Sequence, residues 1–357
     1  MPGRPGAGRR WVVGAAAALA LVAGLWLAGP SQRDAPSSAP SVPPPLPLAL
    51  AAAGRAALVW HDGLWLSDEA GQFGRAGGLP RGAARDPAWR PDGRAIAVAV
   101  HAQTPATESG RPAAPASSDL WLVDPSGEAR PIVRHEADGV LLERPAWHPG
   151  GGVVYFERSA YQTGAGVAAW STRVERGELA TGQRAVVVED GGSPAVSADG
   201  RRLAFARTTG ALADLWLQEL PSGEARRLST PRFAAIASPR FLPDGETLVF
   251  AAAALPTRPG QPRASGGGSS LIEWLGPRTA YAHGPAYGLW LVGLDGSPAR
   301  QIGDPVLDDP AVRWPPDGRG ALVLDATGLH RVEGDGGRLA TVLPLGGTGG
   351  FDWLPRR

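Results

Sequence analysis

Cysteine is absent from the 357 residues. That excludes disulfides, thiol chemistry, zinc–thiolate sites and a lipid-modified N-terminal cysteine. Lysine is absent too: all 35 basic residues are arginine. Together with the abundance of Ala, Gly and Pro, this reads as GC-rich codon usage. Charge of either sign is not in excess, the net charge being +1, and no basic run occurs. Nucleic acid or an acidic membrane surface is therefore not expected as the main partner. The six histidines, His61, His101, His135, His148, His283 and His330, show no His-x-x-x-His spacing, so no metal site is expected. Nucleophile-elbow, Walker-loop and calcium-loop patterns are also missing. No catalytic residue and no cofactor is expected. Glycine, by contrast, is plentiful at 50 residues and proline at 36, with 43% of the chain apolar. This is the composition of a turn-rich globular protein rather than a disordered one.

Long apolar runs are lacking except for one. Arg4, Arg9 and Arg10 precede an uncharged stretch from Trp11 to Gly29, ended by Pro30. At 1.5 Å per residue such a run is about long enough to cross a ~30 Å hydrocarbon layer. Arginines on its N-terminal side set the N-terminus in the cytoplasm. Residues 1–29 are therefore expected to be a cytoplasmic tip and a single transmembrane anchor, with the rest of the chain outside the cytoplasm. A cleaved signal peptide and a secreted protein is the rival reading. Residues 30–54, rich in Pro, Ser and Ala and including Ser41-Val-Pro-Pro-Pro-Leu-Pro47, read as a semi-rigid spacer.

From residue 55 to 357 a phrase recurs. It reads Asp86-Pro-Ala-Trp-Arg-Pro-Asp-Gly93, Arg144-Pro-Ala-Trp-His-Pro-Gly-Gly151, Ser193-Pro-Ala-Val-Ser-Ala-Asp-Gly200 and Ser238-Pro-Arg-Phe-Leu-Pro-Asp-Gly245. It returns from Asp309 to Gly318 with an extra pair of residues, and ends cut short as Phe351-Asp-Trp-Leu-Pro355. Each full copy is a strand and a tight turn, since Asp caps the turn and Gly accepts positive φ. An alternating apolar strand follows, then a third strand marked by Leu-Trp at Trp65, Trp121, Trp216 and Trp290, degenerate at Trp170 and His330. A second glycine turn leads to a fourth strand. Four short strands with two glycine hairpins make one propeller blade, and repetition at roughly 40–50 residues marks a propeller. The first module, from Ala56, lacks its phrase strand, and the C-terminal copy has nothing after it. The expected fold is thus all-β, a six-bladed β-propeller of four-stranded blades in which the C-terminal strand closes the first blade.

From each third-strand marker to the next turn glycine the distance is nearly constant. Trp65 to Gly93 spans 28 residues, Trp121 to Gly151 30, Trp170 to Gly200 30, Trp216 to Gly245 29 and Trp290 to Gly318 28. From turn glycine to the next marker it ranges from 12 (Gly318 to His330) to 45 (Gly245 to Trp290). Length variation therefore falls between second and third strands. Because strands alternate in direction, His101–Ser118, Ser159–Val167 and Ala254–Tyr287 should decorate one face of the disc, the expected binding face.

These repeats resemble the TolB-like six-bladed propeller family, whose blades carry a Pro-x-Trp-Ser-Pro-Asp-Gly strand and turn. The resemblance runs from Ala56 to Arg357. It is closest at Asp86–Gly93 and Ser238–Gly245, and it departs at Val196, Ala198 and the pair before Trp314. The resemblance implies an extracytoplasmic propeller that binds proteins or peptides. The globular domain that precedes the propeller in TolB has no counterpart in this sequence.

Chain geometry sets the residue opening each innermost strand at the channel mouth: Asp86, Arg144, Ser193, Ser238 and Asp309. His101, Glu157, Arg207 and Asp325 end second strands on the same face. These nine are the candidate binding residues, able to hold a peptide terminus or an ion, or else to form a solvated rim. The repeat tryptophans Trp89, Trp121, Trp147, Trp216 and Trp290 are expected to pack the blades. The functional expectation is a membrane-anchored, extracytoplasmic scaffold for a protein or peptide partner. A propeller enzyme acting on a lactone or sugar, and a purely structural envelope protein, are the alternatives.

Overall fold

The computed structural model describes residues 42–61, 63–102, 116–164, 167–210, 212–220, 222–228, 233–255, 286–303, 306–315, 320–333, 337–345 and 349–356. The transmembrane segment expected over 1–29 lies outside them, as does most of His101–Ser118 and Ala254–Tyr287. Among the described residues no helix is long and apolar enough to cross a membrane.

A short helix α1 (Leu48–Ala53) leads into the sheets. The first sheet holds β1 (Gly54–Trp60), β2 (Gly63–Ser67) and β3 (Phe73–Arg75). Then come β4 (Gly82–Trp89), β5 (Ile96–Ala102), β6 (Ser118–Val123) and β7 (Ala129–Val133) as the second. The third is β8 (Val140–Trp147), β9 (Val153–Gly164), β10 (Val167–Glu178) and β11 (Arg184–Val188). Next follow β12 (Gly192–Val196), β13 (Arg202–Thr209), β14 (Leu212–Glu219) and β15 (Ala225–Arg227), then β16 (Phe233–Phe241), β17 (Thr247–Ala254), β18 (Gly288–Gly293) and β19 (Arg300–Gln301). The chain ends with β20 (Ala311–Arg313), β21 (Gly320–Asp325), β22 (Gly328–Glu333), β23 (Leu339–Leu343) and β24 (Phe351–Pro355).

All strand pairings among the described residues are antiparallel, an all-β propeller of four-stranded units. Six separate sheets were expected; the described residues form four four-stranded sheets and one eight-stranded sheet. The reason is local. Strand β15 covers only three residues, so the start of β14 keeps an open edge, and Phe233 of β16 pairs there with Ala213. The C-terminal β24 pairs with β1, Phe351 opposite Leu58 through Pro355 opposite Gly54. An unpaired edge would leave a row of backbone donors and acceptors bare.

Innermost strands touch in an unbroken cycle, β4 to β8, β12, β16, β20, β24 and back to β4. Apolar cores fill the gaps between neighbouring units. One holds Val59 and Leu64 against Trp89, Ile96 and Val98, and another holds Leu322, Leu324 and Leu343 against Leu58, Phe351 and Trp353. Leu46, Leu50 and Ala51 add to that last seam. The end of the proline-rich stretch is thus docked on the propeller, its apolar residues finding the one seam where the chain's two ends meet. The repeat tryptophans pack as expected: Trp89 and Trp147 are buried, and Trp121, Trp216 and Trp290 lie against the inter-sheet cores. Trp147 also donates its indole N–H to Ala88 O of the preceding sheet at 3.0 Å. Ser159–Val167 is no irregular insertion. Strands β9 and β10 continue through it as a hairpin paired from Val153–Glu178 to Gly164–Val167.

Candidate functional site: the channel mouth

The residues expected to open the innermost strands do not open them: Asp86, Arg144, Ser193 and Ser238 lie inside β4, β8, β12 and β16, Asp309 precedes β20, and all five sit in the left-handed region. The φ angles are 50° at Asp86, 51° at Arg144, Ser193 and Ser238, and 46° at Asp309. In the C-terminal copy Gly350 takes the same place with φ 103°. A left-handed non-glycine residue costs about 1–2 kcal/mol and persists only where its surroundings over-determine it. Here the following proline and a shift of register do so. Pairing skips between Arg85 and Ala88, Glu143 and Ala146, Gly192 and Ala195, and Ala237 and Arg240. Such a bulge releases a backbone N–H from the ladder.

The preceding unit takes up the released donors. Asp86 N donates to Gly349 O at 2.7 Å, Arg144 N to Asp86 Oδ2 at 3.1 Å, and Ser193 N to Glu157 Oε2 at 2.7 Å. Similar stitches join other seams: Trp89 N donates to Asp352 Oδ2 at 2.5 Å, and Val312 N to Ser238 Oγ at 3.0 Å. Arg313 Nε joins β20 to Asp352 Oδ1 of β24. These bonds clasp neighbouring units at every seam but that between β12 and β16, where Phe233 pairs with Ala213 instead.

Charge concentrates on the same ring. Arg144 Nη1 lies 2.6 Å from Glu157 Oε1, and Ser159 Oγ donates to that oxygen at 3.2 Å. Glu157 holds the Arg144 guanidinium well above its ordinary range, more than burial lowers it, with Glu143, Asp86 and Asp309 adding. His101 Nε2 is 2.8 Å from Glu143 Oε1, an ion pair when the imidazole is protonated. Burial pushes the Glu143 carboxyl up, but the His101 hydrogen bond with Arg144 and Arg85 together bring it below its usual value. Asp86 goes the other way: burial raises it against the pull of Arg144, with Glu143 and Asp309 adding to the rise. Burial and the nearby Asp309 likewise raise the Tyr287 hydroxyl.

The ring thus unites Asp86, Arg144, Ser193, Glu157 and His101, with Ser238 and Asp309 at the equivalent left-handed positions. Arg207 lies apart, its guanidinium 4.4 Å from the Trp216 ring centroid. Asp325 turns inward. It accepts from Thr327 N and Oγ1 at 2.8 and 2.7 Å, and its Oδ1 is 3.2 Å from His330 Nε2, both residues being buried. His330, in place of a repeat tryptophan, is a structural partner of that turn.

Sequence reasoning missed Glu143, Arg240, Arg313, Asp352 and Tyr287. For two of them a signal was present. The position two after each left-handed residue of the phrase is Ala88, Ala146, Ala195 and Ala311 in four copies, but Arg240 and Asp352 in the other two. A charge replacing alanine where strands crowd around an axis marks a channel group. Among the described residues no cluster of three metal-ligating side chains occurs. Two shallow recesses of about 510 and 410 Å³ lie elsewhere, beside Arg75 and Arg81 and beside Glu246 and Arg300.

The raised Asp86 acid yields a prediction with a definite sign. An acid held above its ordinary 3.8 in the folded state destabilises that state once ionised. Asp86→Asn keeps an oxygen for Arg144 N and removes the charge. The variant should melt higher than the parent near pH 7, and the gain should vanish as pH falls through the ordinary aspartate range. Melting curves across pH check this; a variant less stable at neutral pH contradicts it.

No family model and no curated protein sequence matches the chain. Solved structures do. TolB from Acinetobacter baumannii is 19% identical with a TM-score of 0.58, over 85% of this chain and 67% of that one. A protein assigned as TolB from Agrobacterium tumefaciens is 16% identical with a TM-score of 0.52, over 76% and 85%. A chain of a nidogen/laminin complex is 10% identical with a TM-score of 0.57, over 84% and 98%. Identity this low carries the fold alone. The chain has a TolB-like β-propeller fold.

Proposed function

We propose that this chain is a protein- or peptide-binding propeller scaffold whose partner docks at the channel mouth. In this reading the two halves of the eight-stranded sheet count as two blades, giving a ring of six over residues 55–357. Residues 1–29 anchor it in a membrane, residues 30–54 lead out from that anchor, and the propeller stands outside the cytoplasm. The observation that carries the proposal is the convergence of Asp86, Glu143, Arg144, Glu157 and Arg240, from three different units, around one channel end. Second-to-third-strand connections leave the sheets on that same face, among them the β9–β10 hairpin. Tyr161 and Trp170 stack on this hairpin with ring centroids 5.3 Å apart, and Trp170 is 44% exposed. Exposed aromatics beside a polar, partly desolvated centre are a usual composition for a recognition surface. One similar chain was solved in a nidogen/laminin complex, which fits a propeller serving as a docking platform. The reading is tested by photo-crosslinking from the mouth face in the native membrane, with the opposite face as the control.

A further inference from the structure

We propose that the channel recognises the free C-terminal carboxylate of a peptide, with Arg240 as the residue that receives it. This deepens the peptide-binding reading and rests on it. Arg240 stands on β16 where four other innermost strands carry alanine. The charges that act on it come from Arg313, Asp352 and Asp86, on β20, β24 and beside the bulge of β4. Only the central channel brings those strands together. Its side chain is partly solvent-accessible although protein surrounds it, which is the environment of a water-filled channel.

The other arginines of this ring with a resolved carboxylate contact are matched. Arg144 has Glu157, and Arg313 has Asp352. Both Asp352 oxygens are occupied, by Arg313 and by Trp89 N. Arg240 reaches no carboxylate among the described residues. Its one hydrogen bond runs from Nη1 to the carbonyl of its own neighbour Pro239, at 2.6 Å. A guanidinium carries five N–H donors in a planar fork suited to a carboxylate. Burial, with Arg313 adding, lowers its proton affinity to about 9 against the pull of Asp352 and Asp86, so it stays cationic near neutral pH with no carboxylate in contact among the described residues.

Nearby charges narrow the ligand. Asp86 and Asp352 act on Arg240, Glu143 and Asp309 act on Asp86, and each repels an anion. A doubly charged phosphate meets that repulsion twice over, whereas a single carboxylate on an otherwise neutral chain meets it once.

The test uses the full-length chain, immobilised in detergent, and three probes. The first is a pool of mixed neutral-sequence hexapeptides, N-acetylated with a free C-terminus. The second is the same pool as C-terminal amides, and the third is amidated peptides carrying one internal aspartate. The free-acid pool should be retained about tenfold or more over both amidated pools, the scale of a hydrogen bond to a charged group. Arg240→Gln should bring retention of the free acids down to that of the amides, and Arg240→Lys should weaken it while keeping the charge. Acetate should compete where chloride at equal ionic strength does not, a readout independent of how the variants fold. Equal retention of acid and amide overturns the carboxylate inference and leaves peptide binding standing. Equal retention of the aspartate pool and the free acids overturns the assignment to a chain end. Retention of none overturns the inference, while partner crosslinking tests the scaffold reading separately.

Discussion

A chain ending at Gly350 should lose the cooperative unfolding transition of the full-length protein. Residues 351–355 supply the innermost strand of the first sheet. Without β24, β1 exposes its edge from Gly54 to Leu58. Phe351 and Trp353, 1% and 7% exposed, leave the core where the last and first sheets meet. Emptying a buried aromatic site costs about 3–5 kcal/mol, so two approach the whole stability of a typical domain, about 5–15 kcal/mol. Asp352 goes too, and with it the stitches to Trp89 N and Arg313. Thermal and denaturant melts read this directly. Amide exchange should show protection falling first in β1 and in β20–β23, the units flanking the opened seam. A truncated chain that melts like its parent would contradict closure by this strand.

Glu157→Ala should be the most damaging single change at the mouth. The carboxylate is 7% exposed and serves three donors on two units: Arg144 Nη1, Ser159 Oγ and Ser193 N. Alanine leaves the Ser193 N–H and a guanidinium without their acceptor. Breaking a fully buried pair costs about 3–5 kcal/mol. The Arg144 side chain is 41% exposed, so water recovers part of this and roughly 2–3 kcal/mol remains. The melting midpoint should fall by roughly 3–5 °C, since an unfolding entropy of about 2 cal/mol/K per residue makes each kcal/mol worth under ~2 °C in a domain of about 300 residues. Glu157→Gln, which keeps an acceptor for Ser193 N, should lose about half as much. Equal melting of Glu157→Ala and parent would mean that the clasp contributes nothing.

The architecture was legible because it is repeated. Six copies of one phrase identify the innermost strands, and the missing partner of Ala56–Trp60 identifies β24 as its complement. The merging of two units through Ala213 and Phe233 was not legible, since it depends on how far a three-residue edge strand extends. Nor was the docking of Leu46 and Leu50: proline-rich composition describes backbone stiffness and says nothing about a seam waiting to be covered. At the mouth, spacing picked out the left-handed residues but set them at strand openings, whereas β4, β8, β12 and β16 begin upstream of them at Gly82, Val140, Gly192 and Phe233. It could not tell that their backbone N–H groups are released by a bulge and captured by a neighbour. Nor could it tell that Asp325 is consumed by its own turn and His330. Those facts depend on side-chain direction across units far apart in the chain, as with Asp352 and Trp89.

The most direct test of mouth-face recognition is site-specific photo-crosslinking in native membranes. A crosslinking side chain replaces Trp170, exposed on the hairpin of the mouth face, or Glu224, exposed at the turn before β15 on the opposite face. The account predicts a discrete crosslinked protein or peptide from position 170, lost in Glu157→Ala, and none from position 224. Crosslinking from position 224 alone, or from neither, would contradict it.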